Sequence, residues 1–168
     1  MMRNCFHYAT FSEDESTQVG AIVATPNGHL VSSGCNNFMA NIPRTKENTT
    51  RPKKYFYTRH AEVEAIHNFQ QLYGNSPNLM EEAILYATWA ACDRCAQVII
   101  DAGIRTVVVH KELAQFVEDN RHDGIWFDSV HAAYDMFEAN GVKIYGVSLP
   151  DIVVPQIRVY EMMFPAND

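Results

Sequence analysis

The apolar and polar positions of the chain divide it into short elements with two different periods. Residues 19–25 (VGAIVAT) form a continuous apolar run of strand length. Pro26-Asn27-Gly28-His29 follows, and Asn-Gly favours a tight turn, so 30–34 is expected to return as the second strand of a hairpin. At residues 60–73 the period changes. Ala61, Ala65, Ile66, Phe69 and Leu72 or Tyr73 recur three and four apart, which predicts a helix ended by Gly74, with Thr58 as its candidate cap. Residues 82–88 (EAILYAT) are expected as a strand, 93–102 as a helix stopped by Gly103, and 105–110 as a further strand. Val130, Ala133, Tyr134 and Phe137 then mark one face of a helix over 126–139, and 142–147 closes the pattern as a strand. Phe6, Tyr8 and Phe11 suggest a short helix near 4–12.

This order predicts an α/β fold. Strand, helix, strand, helix, strand from 82 to 147 implies a parallel half-sheet with right-handed crossovers. The antiparallel hairpin before it makes the whole a mixed, five-stranded sheet. The 168 residues suit one domain with a sizeable core. Pro150, Pro155 and Pro165 break the tail, so 148–168 is expected to pack on the body or at an interface.

Charge changes the picture in one stretch. The chain carries 13 basic and 20 acidic residues, a net charge of -7, which argues against nucleic acid as a partner. Yet Arg44, Lys46, Arg51, Lys53, Lys54 and Arg59 cluster in a polar, irregular segment, 35–59. A loop of that length is expected to work as a lid or a binding loop. No apolar run is long enough to cross a membrane, and the first residues (MMRNCFHYATFSEDE) lack the apolar run of a secretory signal, so a cytoplasmic location is expected. Four cysteines in a chain this long do not make a disulfide framework.

Two short motifs carry the chemistry. His60-Ala61-Glu62 opens one predicted helix, and Cys92-Asp93-Arg94-Cys95 opens the next. His60, Cys92 and Cys95 form a set of three metal ligands that suits zinc, which accepts imidazole and thiolate in a tetrahedral shell. Three protein ligands leave the fourth position to water, the arrangement of a catalytic zinc site. Glu62 is then the group that moves protons between that water and a substrate. Cys92 and Cys95 as inert thiols, or as a redox pair, would leave His60 and Glu62 without a task. Cys5 and Cys35 are simplest as free thiols.

Zinc nucleobase deaminases carry H-x-E followed by P-C-x-x-C. The chain resembles that family, the cytidine and deoxycytidylate deaminases, over much of its length. The family's V-G-A-x-I/V strand matches Val19-Gly20-Ala21-Ile22-Val23, and its G-Y-N-G run matches Gly34-Cys35-Asn36-Asn37. Its H-A-E-x-x-A-I motif matches His60-Ala61-Glu62-Val63-Glu64-Ala65-Ile66. Its second metal block matches Ala91-Cys92-Asp93-Arg94-Cys95-Ala96 and runs on to Ala102-Gly103-Ile104. Ala91 stands where proline is usual, Cys35 where tyrosine is common, and Asn37 where glycine is common; the last two bear on the sugar side of the pocket.

The resemblance implies a cytidine deaminase-like three-layer α/β/α fold and a zinc-dependent hydrolytic deamination at C4 of a cytosine ring. The expected substrate is a pyrimidine nucleotide, dCMP first, giving dUMP and ammonia. Cytidine, deoxycytidine, dCTP, another heterocycle or tRNA adenosine are the alternatives, with a zinc-stabilised interaction module as the non-enzymatic one. Asn36 falls on the family's sugar contact. Ala61 and Ala90 are expected beside the ring, where a carbonyl near 90 can accept from the exocyclic amine. For a phosphate, the loop offers Arg44, Arg51, Lys53, Lys54 and Arg59, of which Arg44 and Arg59 are the first candidates, with Lys111 weaker; Tyr57 is expected to supply a ring face or hydroxyl. Trp126 suits either the pocket or the core. The resemblance also implies a homo-oligomer, a dimer or a hexamer.

Overall fold

The computed structural model describes residues 1–119, 124–150, 154–159 and 162–164. Helix α1 (Met2–Ala9) buries Met2, Cys5, Phe6 and Ala9 on one face. It lies so close to strand β1 (Gly20–Ala24) that a Cβ at Gly20 would stand 2.6 Å from the Ala9 nitrogen. Gly28, at φ 82°, closes the turn to β2 (Leu30–Cys35), as the Pro-Asn-Gly run predicts. These strands pair antiparallel, with Ala21 opposite Gly34.

The segment 35–59, expected to be irregular, contains short elements. They are β3 (Asn37–Phe38), α2 (Lys46–Thr49), a 3-10 turn (Lys53–Phe56) and β4 (Thr58–Arg59), which pairs with β3. Thr58 does not cap the next helix. Its hydroxyl donates to the Lys54 carbonyl, and His60 occupies the N-cap position of α3 (Ala61–Tyr73). Gly74, at φ 65°, ends α3 as expected.

Two helices went unpredicted because each offers the core too few positions to set a period. In α4 (Pro77–Glu82) only Met80 is buried. After β5 (Ile84–Ala87), α5 (Asp93–Asp101) and β6 (Thr106–His110), helix α6 (Lys111–Asp119) buries only Leu113 and Val117. Then come α7 (Gly124–Ala139), β7 (Lys143–Val147), and a hairpin of β8 (Ile157–Val159) and β9 (Met162–Phe164).

The main sheet has five strands in the order β2-β1-β5-β6-β7. Its first two pairings are antiparallel and its last two parallel, the mixed sheet the element order predicts. Side chains alternate between its faces. Ala21, Val23, Leu85, Ala87, Val107 and Val109 pack toward α3, α5 and α7. Ile22, Ala24 and Val108 pack with α1 and α6 on the other face, giving the three layers. Ile157 and Val159 of the tail are buried in that second cluster, while residues 151–153, 160–161 and 165–168 of the expected tail lie outside the described ones. No helix among the described residues is long and apolar enough to cross a membrane.

Candidate active site

The site begins at two helix starts. His60 is the N-cap residue of α3 and Cys92 that of α5, both in extended backbone just before the helix begins. Cys95 follows one turn into α5 and Glu62 within the first turn of α3. The two helices pack together on one face of the sheet, which brings their starts side by side.

His60 Nδ1 lies 3.2 Å from Cys95 Sγ and 3.4 Å from Cys92 Sγ. All three donor atoms are within 4.8 Å of one another, and no other such group of histidine, cysteine and carboxylate occurs among the described residues. A tetrahedral zinc with ordinary Zn–N and Zn–S bonds holds its ligand atoms about 3.6 Å apart. One nitrogen and two sulfurs, already gathered at close to that spacing, fit zinc in both chemistry and geometry.

Before zinc binds, electrostatics favours the ligating thiolate at Cys92 and the protonated forms at Cys95 and His60. Donation from Cys95, helped by His60, draws the Cys92 thiol down to about 4. The first backbone N–H groups of α5 favour a thiolate there too. Cys95, donating to Cys92 and buried, is pushed well above the usual thiol value. Burial works against a charged His60, but the Cys92 sulfur outweighs it and raises the imidazole. Glu62 is buried, and that burial lifts its carboxyl above the usual range, with His60 opposing.

His60, Cys92 and Glu62 line a cavity. Aromatic rings close one side of it. Tyr55 meets Trp126 edge to face at 5.4 Å, and the Trp126 ring lies 6.1 Å from that of His60. Trp126 therefore belongs to the cavity as well as to the apolar core margin. Ala61, Ala90 and Asn36 also line it. Asn36 holds the wall in place: its Oδ1 accepts from the Val19 N–H at 2.7 Å and its Nδ2 donates to the Thr17 carbonyl at 2.8 Å.

The other three expected contacts do not line this cavity, though Arg44 lines a depression that adjoins it. Arg44 pairs with Glu13 and lies 5.7 Å from the Phe38 ring. Arg59 donates to Glu64 at 2.8 Å, and the Tyr57 ring packs on Phe38 at 6.0 Å. None of the three lines the cavity; from the same basic loop, Arg51 and Lys54 do. Asp14, Thr17, Tyr55 and Trp89 line it as well and were missed. Trp89 had a signal in its place just before the cysteines. Asp14 had none, because its role depends on Lys54, far along the chain.

Residues 1–111 match the family model of the cytidine and deoxycytidylate deaminase zinc-binding region. The chain is 30% identical over 135 residues to an uncharacterized deaminase in the luxG 3' region of Aliivibrio fischeri, covering 80% of this chain and 82% of that protein. It is 32% identical over 148 residues to deoxycytidylate deaminase of Mus musculus, covering 84% of this chain and 74% of that one. Among solved structures, dCMP deaminase from the cyanophage S-TIM5, in complex with dCMP and dUMP, superposes with a TM-score of 0.60 at 20% identity, covering 87% of this chain and 93% of the other. That last likeness supports the fold. With the family's zinc-binding region matched from residue 1 to 111, and its ligand triad gathered at two helix starts, the chain belongs to the cytidine and deoxycytidylate deaminases.

Proposed function

We propose that the protein hydrolyses the exocyclic C–N bond of deoxycytidylate, taking up water and releasing ammonia and dUMP. The observation that carries this reading is the buried carboxylate of Glu62, set in the same cavity as the zinc-binding triad. The sequence relatives named deoxycytidylate deaminase support the choice of substrate.

In this reading His60, Cys92 and Cys95 hold the zinc. When bound, the ion supplies Lewis acidity that brings a water's pKa from 15.7 to about 7. Glu62 accepts one proton from the attacking water and passes it to ring N3, then takes the second from the hydroxyl now on C4 and passes it to the exocyclic amine, which leaves as ammonia. One carboxylate suffices, because the proton gained in one step is given up in the next. Ala90 offers a carbonyl to the exocyclic amine, Ala61 lies beside the ring, and Asn36 is the group for the sugar. Trp89, Tyr55 and Trp126 exclude bulk water. Arg51, with a planar fork of donors in the cavity, is the phosphate contact, in place of Arg59, which pairs with Glu64, and Arg44, which pairs with Glu13 at the rim of a neighbouring depression. The family resemblance further supports a homo-oligomer, dimer or hexamer, which sedimentation distinguishes.

A neighbouring depression of about 600 Å³ shares Asp14, Arg51, Lys54 and Thr58 with the cavity. Arg44 lines it too, but so do Glu13, Asp14 and Glu15, so room for a longer phosphate chain makes dCTP only the second reading. The test is ammonia release by the zinc-loaded protein from dCMP, CMP, dCTP, deoxycytidine, guanine and tRNA adenosine at matched concentration. Strong turnover of dCMP with little of deoxycytidine is expected. Turnover of no cytosine compound by folded, zinc-loaded protein refutes the reading.

A further inference from the structure

Lys54 looks like a phosphate anchor: a lysine in the wall of a nucleotide cavity. Its surroundings point elsewhere. The residue is 6% exposed, and its ammonium has three hydrogens to give. Three acceptors stand around it: Asp14 Oδ1 at 2.9 Å, Asp14 Oδ2 at 2.8 Å and Ser16 Oγ at 2.5 Å. The donors are already matched.

We infer that Asp14 and Lys54 are a positioning pair, which fixes the two loop walls of the cavity against each other, and that Lys54 is not a ligand for the substrate's phosphate. The inference rests on the deoxycytidylate reading above.

Each partner is tied into its own wall. Asp14 Oδ1 also accepts from the backbone N–H of Ser16 at 2.8 Å and of Thr17 at 3.0 Å, so one carboxylate folds its loop and grips Lys54. That loop is backed by the tail: the Gln18 N–H donates to the Arg158 carbonyl, the Arg158 N–H returns to Gln18 Oε1, and the Arg158 guanidinium donates to the Asp14 carbonyl. On the other side, the Lys54 carbonyl accepts from Tyr57 N–H and Thr58 Oγ1. Lys54 sits in the 3-10 turn that carries Tyr55 against Trp126, and Trp126 stands next to His60. The pair thus reaches the reacting centre through two ring contacts in series. Breaking one member of a buried pair leaves an uncompensated charge. A phosphate that took Lys54 would leave the Asp14 carboxylate buried beside a second anion. Arg51 meets the pair only at the Ser16 hydroxyl, at 3.4 Å, so engaging it leaves the Asp14 carboxylate on Lys54.

The two roles predict opposite signs for one substitution. Asp14→Asn keeps an oxygen for the Ser16 and Thr17 N–H groups but removes the charge that holds Lys54. If Lys54 positions, kcat/KM for dCMP falls about tenfold to a hundredfold, mostly in kcat, because the wall shifts. If Lys54 binds phosphate, Asp14→Asn releases a cation to the substrate and KM drops. Lys54→Met is expected to match Asp14→Asn, and the double variant to be no worse than the poorer single one. Ser16→Ala is the gentler variant should Asp14→Asn fail to fold: it frees one Lys54 hydrogen and the longer donation from Arg51, and positioning again predicts a lower kcat rather than a lower KM. Steady-state kinetics on zinc-loaded protein decides. A kcat/KM kept or raised in Asp14→Asn or Ser16→Ala, with Lys54→Met raising KM alone, overturns the inference. If wild type prefers deoxycytidine to dCMP, the substrate reading fails, yet the same fall in kcat is still expected on the nucleoside, so the two failures are told apart.

Discussion

The metal corner and the basic loop border the same cavity, yet their side chains are held in place by different means. His60, Glu62, Cys92 and Cys95 sit at the starts of α3 and α5, where helix hydrogen bonds and sheet packing fix the backbone. Four cations of the loop are fixed by anions: Lys54 by Asp14, Arg44 by Glu13, Arg59 by Glu64 and Lys53 by Glu47. In the first region position in the sequence determines what a side chain does. In the second the partner determines it, and the same residue type serves as clamp, surface pair or cavity donor.

The comparison breaks most sharply at Glu62. Glu62→Gln keeps the size of the side chain and its place on α3 but removes its proton chemistry. Turnover is expected to fall about 10²- to 10⁴-fold. Zinc content, measured on the same protein, stays at one ion because the three ligands are untouched. A variant with full zinc and full turnover would mean that the proton moves by another route.

The next effect tests whether the metal corner really borrows its precision from packing. Gly34 of β2 lies under α3, where an added Cβ would stand 2.5 Å from the Ala65 nitrogen and 2.7 Å from the Ala61 carbonyl oxygen. Both are backbone atoms, so the helix carrying Glu62, with His60 at its cap, must move. Gly34→Ala is expected to cost about 1–3 kcal/mol of stability and about a hundredfold in kcat/KM. Gly146→Ala is the control: its nearest neighbours lie 3.5 Å away, and little change is expected. Equal behaviour of the two variants would show that α3 is not held by this approach.

These two regions also explain what could be read from the sequence. The hairpin, the parallel half and the metal triad each rest on local pattern: Asn-Gly at the turn, apolar residues at strand or helix period, H-x-E and C-x-x-C at helix starts. α4 and α6 escaped because one or two buried residues set no period. Thr58 suited a cap by type but spends its hydroxyl on Lys54. In the loop, choosing Arg44, Tyr57 and Arg59 by nearness in sequence to Asn36 and His60 missed the pairings with Glu13 and Glu64. Asp14, in an acidic N-terminal stretch, gave no sign that it would meet Lys54.

A smaller effect sharpens the loop side. Burial tends to raise the Asp14 carboxyl, but donation from Lys54 and the backbone N–H of Thr17 together bring it below the usual value. A depressed folded-state value stabilises the fold above the ordinary aspartate range, near about 3.9, and that contribution is lost as pH falls through the lower folded value. Thermal unfolding of wild type and Asp14→Asn should therefore differ at neutral pH, begin to converge below about pH 4, and meet only below the lower folded value. Acid also protonates the zinc ligands, but both proteins share that loss, so the difference between them isolates the pair. A gap that persists unchanged to the lowest pH would remove the Asp14 charge from the account.

The smallest effect is expected where the sequence first pointed. Arg44 and Glu13 are about half exposed or more, with side chains 50% and 61% accessible. Arg59 and Glu64 are 43% and 23% accessible. Ion pairs of this kind contribute about 0–1 kcal/mol, and neither arginine lines the cavity. Arg44→Gln and Arg59→Gln should therefore leave KM for dCMP within about twofold of wild type, since no interaction with the substrate is removed. Arg51→Gln, by contrast, should raise KM with kcat largely kept, the pattern of lost uniform binding. The three variants remove the same charge from the same loop, so a nonspecific effect of net charge would move them together. A rise in KM for Arg59→Gln as large as that for Arg51→Gln would mean that Arg59 leaves Glu64 when substrate binds, and that the pairings of the free protein do not decide which cation meets the phosphate.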